Sequence, residues 1–200
     1  MVDKKRIIGL TGIYCAGKNH IAQILEQRNF PVLDVDKLGH LVIESEKESI
    51  IARFGGDILG QDGRIDRKKL GTRVFGRPEE MSALEQIIHP GANRETLAWI
   101  NNRRENALFI NAALLHRSSV FGQLDAIIIV EAPFLARLLR ARKRDRLPWT
   151  TIIKRFRSQK KFYTQYFSGK TDIYRVENSG FCRKKPENRI DEILSLLGIT

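Results

Sequence analysis

Apolar residues along the chain form two kinds of segment: short continuous runs and longer stretches with helical spacing. Five short runs rich in Val, Ile, Leu and Phe predict β-strands, at residues 6–11, 31–34, 108–111, 126–131 and 173–177. A continuous run, in place of strict alternation, is typical of a strand covered by helices on both faces. Because the runs alternate with helical stretches, the pattern predicts an α/β fold with a five-stranded, mainly parallel sheet.

Within the longer stretches, apolar residues recur three and four positions apart, which is the spacing of one helix face. Three sets show it: Ile21, Ile24 and Leu25; Leu135, Leu138 and Leu139; and Ile190, Ile193, Leu194 and Leu197. The second set leaves Arg137, Arg140 and Arg144 on the opposite face of its helix, and Gly198 is expected to end the third. Pro90 is expected to break the helical pattern around it, because a proline ring clashes with the preceding turn.

The longest interval between predicted strands, residues 37–106, contains several helical patterns and predicts an inserted helical subdomain. Residues 1–36, 107–136 and 166–200 then form the sheet-containing core, and residues 137–165 form a separate basic segment.

Composition narrows the class of protein. With 42% hydrophobic and 29% charged residues in a chain of 200, bulk disorder is excluded and a folded, water-soluble domain is expected. No apolar run approaches the ~20 residues of a membrane span, and the run at residues 7–10 is too short for a signal peptide. Cys15 and Cys182 allow at most one disulfide, which excludes a disulfide-rich secreted scaffold. A cytoplasmic location is expected.

The chain is strongly basic, with 35 Lys and Arg against 23 Asp and Glu and a net charge of +12. Eleven of the basic residues lie between Arg137 and Lys161, where Asp145 is the single acid. This balance indicates either an anionic partner (nucleic acid, anionic lipid or a phosphorylated small molecule) or a solvated helix face. Four aromatic residues in the same region keep nucleic-acid binding open: Trp149, Phe156, Phe162 and Tyr163.

The most specific motif is Gly-Ile-Tyr-Cys-Ala-Gly-Lys-Asn at residues 12–19, which fits the phosphate-binding pattern G-x-x-x-x-G-K. It lies between a predicted strand and a predicted helix, so that its backbone N–H groups and the helix N-terminus can surround a phosphate. Lys18 would reach the β- and γ-phosphates as a point charge. The alternative is a glycine-rich turn with a surface lysine. The candidate nucleotide-binding residues are Gly12, Tyr14, Cys15, Ala16, Gly17, Lys18, Asn19 and His20.

The motif departs from its usual form at Asn19, where a Ser or Thr hydroxyl normally binds the Mg²⁺ that bridges the phosphates. A carboxamide oxygen can also ligate Mg²⁺, so Asn19 either repositions the metal, binds it through water, or weakens catalysis. Cys15 lies close to a helix N-terminus, which raises the hypothesis of a reactive thiol; a passive small side chain is the alternative.

Beyond this motif, the chain from about residue 7 to residue 180 resembles the dephospho-coenzyme A kinase family. The segments that carry the resemblance, in chain order, are 8–12, 33–36, 54–59, 62–67, 88–90, 130–133 and 178–180. The family loop usually reads Gly-Gly-Ile-Gly-Ser-Gly-Lys-Ser/Thr, so the loop of this chain is divergent. Further departures are Asn93 in place of an arginine, and Ala113 and Arg117 in place of a proline and a glutamate.

The resemblance implies transfer of the ATP γ-phosphate to the ribose 3′-hydroxyl of dephospho-coenzyme A, the last step of coenzyme A biosynthesis, with ATP and Mg²⁺ as cofactors. It also implies a P-loop kinase fold in which residues 37–106 bind the acceptor and residues 137–165 form a mobile lid. The expected partners are the two small substrates, with no nucleic acid and no membrane, in a monomer or weak homo-oligomer. A weakened relative that binds nucleotide or coenzyme A as a sensor is the alternative, and a basic nucleic-acid-binding protein is the third hypothesis.

The roles of individual residues follow from the same resemblance. Asp36 matches the carboxylate that accepts or orients the proton of the acceptor hydroxyl; otherwise it caps the next helix. Arg140 and Arg144 would stabilise the transferred phosphoryl group when the lid closes, or else belong to a solvated helix face. The remaining candidates are Asp34, His89 and Leu115 on the acceptor side, Asn178 beside the adenine, and Arg155 and Lys161 in the lid.

Overall fold

The computed structural model describes residues 5–159, 162–166, 171–180 and 185–199, and Lys161 and Cys182 lie outside these ranges. All five predicted strands are present: β1 (Arg6–Gly12), β2 (Val32–Asp34), β3 (Ala107–Asn111), β4 (Ala126–Glu131) and β5 (Asp172–Glu177).

The strands form one sheet in the order β2-β3-β1-β4-β5. β1 pairs in parallel with β3 on one side and with β4 on the other, and β5 pairs in parallel with β4. Every residue of β3 is buried, as is every residue of β4 before Glu131, which explains their continuous apolar sequences. The predicted α/β fold with a five-stranded parallel sheet is confirmed. Because β1 is central, the loop that follows it lies at the carboxyl edge of the sheet, where such sheets bind ligands.

Two helices, α1 (Lys18–Gln27) and α8 (Pro186–Leu196), pack against the sheet. Their predicted apolar residues are buried together: Ile21, Ile24, Leu25, Ile190, Ile193, Leu194 and Leu197. Arg28, directly after α1, hydrogen-bonds both carboxylate oxygens of Asp191 at 2.6 and 2.9 Å and so joins the two helices. Gly198 follows α8 with a φ of +62° and ends that helix as predicted.

Leu115, predicted to bind the acceptor, lies in the protein core. It begins a short 3₁₀ turn, Leu115–Arg117, and its side chain is fully buried. A Cβ atom added to Gly9 of β1 would overlap the Leu115 Cδ2 atom and lie 2.9 Å from Leu124 Cδ1, so these leucines pack directly on the β1 backbone. In this structure the side chain of Leu115 packs on β1, and its contact with the acceptor stays a prediction.

The basic segment contains two helices, α6 (Phe134–Asp145) and α7 (Trp149–Ser158), called the basic helical pair below. The pair packs around Ile152, which is fully buried. Phe156 packs against the same cluster, and Phe162 is only 6% exposed. Two of the four aromatic residues that keep nucleic-acid binding open, Phe156 and Phe162, are thus packed inside the protein, whereas Trp149 is 48% exposed.

The apolar face predicted for α6 faces inward only in part. Leu138 packs in the cluster around Ile152, but Leu135 and Leu139 are 70% and 68% exposed. Arg140, expected on the opposite face, donates instead to backbone carbonyl oxygens inside the protein. Part of the surface that α6 covers consists of backbone carbonyl groups, and Arg140 supplies the hydrogen-bond donors that a leucine would lack.

The chain divides into two compact units, residues 1–33 with 103–200 and residues 34–102. The second unit contains four helices: α2 (Val35–Ser45), α3 (Lys47–Phe54), α4 (Arg67–Val74) and α5 (Pro78–Asn101). Its core includes Ile50, Ile58, Leu70 and Leu84. Gly91 lets α5 approach α2 closely, because a Cβ there would lie 2.8 Å from Val42 Cγ1.

The predicted helix break at Pro90 is wrong, since α5 continues through it for 24 residues. A proline inside a helix removes one N–H donor and costs about 3 kcal/mol. Burial of Leu84 before Pro90 and of Ile100 after it keeps both halves of α5 against the unit, which offsets this cost.

Among the described residues, no helix combines the length and the apolar composition that crossing a bilayer requires.

The contact between Gly9 and Leu115 predicts the effect of a single methyl group. Gly9→Ala would overlap two buried leucines, and we expect it to lower the free energy of unfolding by about 1–3 kcal/mol in urea titrations. Gly122→Ala is the matched control in the same compact unit, because a Cβ at Gly122 meets no atom within 4 Å. Equal stabilities for the two variants would contradict this packing.

Candidate active site

The loop between β1 and α1 has the backbone geometry of a phosphate-binding loop. Gly17 caps the N-terminus of α1 with φ +96° and ψ +32°, a left-handed conformation that favours glycine. A Cβ on Gly17 would overlap the Nδ2 of Asn178, and a Cβ on Gly12 would lie 2.8 Å from the carbonyl oxygen of Val130. Both motif glycines are therefore required by space, and Gly17 also by its conformation.

The outer side of the loop is held by Asn178 and Arg140. The carbonyl oxygen of Ala16 accepts hydrogen bonds from Asn178 Nδ2 at 2.9 Å and from Arg140 Nη1 at 3.0 Å. Arg140 Nη2 also donates to the backbone carbonyl oxygen of Asn178 at 2.8 Å. The backbone N–H of Asn178 donates to the backbone carbonyl oxygen of Glu131 at 2.8 Å. The family resemblance implies a place beside the adenine for Asn178 and on the phosphoryl group for Arg140; in this structure both side chains hold the loop.

This bracing leaves the inner side of the loop to the ligand. Within the loop, the Tyr14 N–H donates to Gln159 Oε1 at 2.7 Å and the Ala16 N–H donates to the Ile13 carbonyl oxygen at 2.9 Å, so anion binding here depends mainly on the end of the loop that leads into α1. Lys18 is the first residue of α1, where the positive end of the helix dipole lies and where N–H groups have no preceding helical turn to accept them. Asn19 and His20 are exposed in the same first turn. The arrangement suits a nucleotide phosphate.

Arg144 and Arg155 of the basic helical pair both bind the carboxylate of Asp145. Arg144 contacts it at 2.7 and 3.2 Å, and Arg155 at 3.0 Å. The hydrogen bond from Arg144 holds the pKa of Asp145 below its usual range, so the carboxylate stays charged at neutral pH. Both arginines are thus placed near the loop by an acid that the sequence analysis did not select.

Cys15 is a buried residue of the loop and lacks the environment of a reactive thiol. It packs with Ala141 and Ile152, and its φ of +60° is unusual for a residue with a side chain. Burial raises the pKa of the Cys15 thiol, with Arg144 opposing that effect. The expected activation by the helix N-terminus does not lower this pKa, so the passive alternative is favoured. The family loop usually has glycine here, which a left-handed φ would suit better.

Two neutral carboxamides, those of Asn19 and Asn111, meet beside the loop. Asn111, the last residue of β3, donates from Nδ2 to Asn19 Oδ1 at 3.3 Å and is 1% exposed. Its own Oδ1 is buried without a hydrogen-bond partner among the described residues. Two amide oxygens suit Mg²⁺, which prefers oxygen ligands, although they bring no charge. No group of three His, Cys, Asp or Glu in the described part of the chain could hold a metal.

The acceptor-side candidates other than Leu115 lie in the second compact unit. Asp34 ends β2 and caps α2, accepting the Lys37 N–H at 3.1 Å. The residue that caps α2 is therefore Asp34 and not Asp36, for which capping was the alternative role. Asp36 lies exposed in the first turn of α2. His89 is half-buried in α5.

The second unit also contains a polar cavity of about 540 Å³ that the sequence analysis did not assign. Its polar lining residues include His40, Glu44, Asp62, Arg64, Asp66 and Arg67. The carboxylates of Asp62 and Asp66 accept nearby backbone N–H groups, at 3.1 and 2.8 Å. The sequence feature that could have indicated this cavity is the charged run at residues 62–67. That run is part of the family resemblance, but no role was predicted for it.

The raised pKa of Cys15 predicts slow alkylation. Because the pKa is raised, a smaller fraction of the thiol is ionised at pH 7.5 than in an exposed cysteine, and the thiolate is the reactive form. In a Cys182→Ser variant, we expect iodoacetamide to modify the folded chain about tenfold or more slowly than the urea-unfolded chain. Equal or faster modification of the folded chain would contradict the buried position.

Comparison with known proteins identifies the family. The family described as Dephospho-CoA kinase matches residues 6–169. A dephospho-CoA kinase of Treponema denticola is 34% identical over 184 residues, which cover 86% of this chain and 82% of that protein. The structure of TT1252 from Thermus thermophilus has a TM-score of 0.78 at 27% identity, covering 98% of this chain and 97% of that one. A dephospho-CoA kinase from Campylobacter jejuni shares the fold, with a TM-score of 0.69 at 24% identity over 96% and 97% of the two chains. With its phosphate loop at the edge of a five-stranded parallel sheet, the chain belongs to the dephospho-CoA kinase family of P-loop kinases.

Proposed function

We propose that this protein transfers the γ-phosphate of ATP to the ribose 3′-hydroxyl of dephospho-coenzyme A. The observation that carries the proposal is the extent of the family match, residues 6–169. That range contains the loop for the phosphate donor, the whole helical unit of residues 34–102, and the basic helical pair. A protein that only bound nucleotide would need the phosphate-binding loop but neither the helical unit nor the basic helical pair.

On the donor side, the loop after β1 binds the ATP phosphates through its backbone N–H groups and the N-terminus of α1. Lys18 neutralises charge on the β- and γ-phosphates. Asn178 and Arg140 support this geometry by holding the Ala16 carbonyl outward. Phosphoryl transfer depends mainly on positioning and charge neutralisation, so a rigid loop is a direct contribution to catalysis.

Asn19 and Asn111 would hold Mg²⁺ beside the loop through their carboxamide oxygens. When bound, Mg²⁺ would neutralise the charge on the β- and γ-phosphates. The two carboxamides supply neutral oxygen atoms for it.

On the acceptor side, Asp36 is proposed to accept or orient the proton of the 3′-hydroxyl. Its carboxylate is exposed at the start of α2, and the neighbouring Asp34 already performs the structural role of capping that helix. Arg64 and Arg67 line the polar cavity of the same unit and are proposed to contact the anionic part of the acceptor together with His89 from α5. The proposed location of the protein is the cytoplasm, and its proposed oligomeric state is a monomer or a weak homo-oligomer.

The proposed base predicts the effect of one charge-removing substitution. We expect Asp36→Asn to lower single-turnover formation of coenzyme A from ATP, Mg²⁺ and dephospho-coenzyme A by about 10²–10⁴-fold. ATP binding, measured by calorimetry, should be unchanged. Glu95→Gln, an exposed charge removal in the same compact unit, is the control and should retain activity. Full activity of Asp36→Asn would refute the assignment.

The carboxamide pair is the specific observation that favours a second candidate function, binding of nucleotide or coenzyme A with little transfer. P-loop enzymes normally hold Mg²⁺ with a hydroxyl and a carboxylate, whereas Asn19 and Asn111 are both neutral. Formation of coenzyme A by the native chain in single turnover would exclude this candidate. Its absence, with measurable ATP binding, would favour it.

The same pair predicts that ATP-bound Mg²⁺ is held weakly, so that a high Mg²⁺ concentration is needed for Mg²⁺-dependent ATP binding. We expect the combined variant Asn19→Ser and Asn111→Asp to reach half-maximal Mg²⁺-dependent ATP binding at about tenfold lower Mg²⁺, because a carboxylate attracts the ion more strongly than an amide. Calorimetric titration of ATP at several Mg²⁺ concentrations measures the shift. Asn188→Asp, an exposed position in α8, controls for the added charge. An unchanged Mg²⁺ dependence would place the ion elsewhere.

A further inference from the structure

Tyr14, the third residue of the phosphate loop, contacts the basic helical pair through its backbone and its ring. Its N–H donates to Gln159 Oε1, directly after α7, at 2.7 Å, and its carbonyl accepts from Arg137 Nη1 at 3.5 Å. Its ring packs edge-on against Phe156, with the centroids 5.5 Å apart. The family loop usually has isoleucine at this place, which has neither a ring nor a hydroxyl.

The Tyr14 hydroxyl completes a cluster around Asp145, the last residue of α6. It donates to the Asp145 carboxylate, which also binds Arg144 of α6 and Arg155 of α7. The guanidinium carbons of Arg144 and Arg155 lie 5.3 and 5.7 Å from the centroid of the Tyr14 ring, within range of cation–π attraction. One side chain of the loop therefore contacts one carboxylate and two cations of the helical pair.

The charges of the cluster keep these contacts in one arrangement at neutral pH. The hydrogen bond from Arg144 lowers the pKa of Asp145, so that residue accepts hydrogen bonds as a carboxylate. Burial, and then the hydrogen bond to Asp145, raises the pKa of Tyr14, so its hydroxyl remains a donor. A charged acceptor roughly doubles the strength of such a hydrogen bond.

Apolar contacts attach the helical pair to the loop but do not orient its arginines. Cys15 of the loop packs with Ala141 and Ile152, and this attraction has no preferred direction. Hydrogen bonds are directional, and those of Asp145 determine where the two guanidinium groups lie.

We propose that Tyr14 is a positioning residue, whose hydroxyl donates to Asp145 and accepts from Arg155 Nη1 at 3.4 Å and so sets Arg144 and Arg155 beside the phosphate loop. The inference rests on the proposed function, in which arginines of this segment stabilise the transferred phosphoryl group. A displacement of about 1 Å in such groups can cost on the order of 100-fold in rate.

Tyr14→Phe isolates the hydroxyl, because the ring contacts with Phe156 and the arginines remain. We expect kcat for coenzyme A formation to fall about tenfold or more, with the KM values for ATP and dephospho-coenzyme A changed less than about threefold. Asp145→Asn should lower kcat at least as much, because it removes the charge that holds both arginines. The loss in the double variant should be smaller than the sum of the single losses, because both substitutions weaken the contact between Tyr14 and Asp145. Tyr174→Phe on β5 is the matched control.

Hydrogen exchange measured by mass spectrometry tests the same contact without substrates. We expect faster exchange in peptides covering α6 and α7 in Tyr14→Phe than in the native chain or in Tyr174→Phe. Hydrogen exchange supports or overturns the role of Tyr14 whether or not coenzyme A forms. A failure to form coenzyme A would refute only the proposed function. Unchanged exchange, an unchanged or increased kcat, or additive losses in the double variant would overturn the positioning role.

Discussion

The carbonyl oxygen of Ala16 is the group on which the candidate active site depends. A loop that directs its N–H groups toward phosphate must turn carbonyl groups into the protein, where each needs a donor. Here the donors are Asn178, which follows β5, and Arg140 of α6, located 162 and 124 residues further along the chain. Gly17 has no side chain because the Asn178 amide occupies that space. The conformation of the loop is therefore maintained by distant residues.

The basic segment shows how one residue type can serve structure and chemistry together. Most of the excess positive charge lies there, which in sequence indicates an anionic partner. In the folded chain, Arg137 and Arg140 donate to backbone carbonyls of the loop, while Arg144 and Arg155 share Asp145. Part of the charge thus secures the helices to the loop that is proposed to bind ATP, and the remainder lies at the surface.

The divergent residues of the loop are compatible with membership of the family, but they change the contacts of the loop and the charge beside it. Tyr14 adds polar contacts to the basic helical pair, and Cys15 adds a small buried side chain at a left-handed position. Asn19, with Asn111, makes the proposed metal position neutral. The family sheet, its central strand and the motif lysine are all retained, so these substitutions alter how the loop is held and how the ion is bound.

The sequence by itself determined the five strands and the phosphate loop, because a continuous apolar run and the G-x-x-x-x-G-K spacing are properties of neighbouring residues. Periodicity also predicted that α6 has an apolar and a basic face, but it could not show that Leu135 would be exposed and Arg140 buried against carbonyl groups. The same limit applies to Leu115, whose place in the core depends on Gly9 of another segment. Asn178 contacts the loop through a hydrogen bond to Ala16, and no spacing of residues in the sequence predicts this bond. Local patterns specify elements, whereas the tertiary structure alone decides which groups meet, because burial and hydrogen bonding are satisfied by residues far apart in the chain.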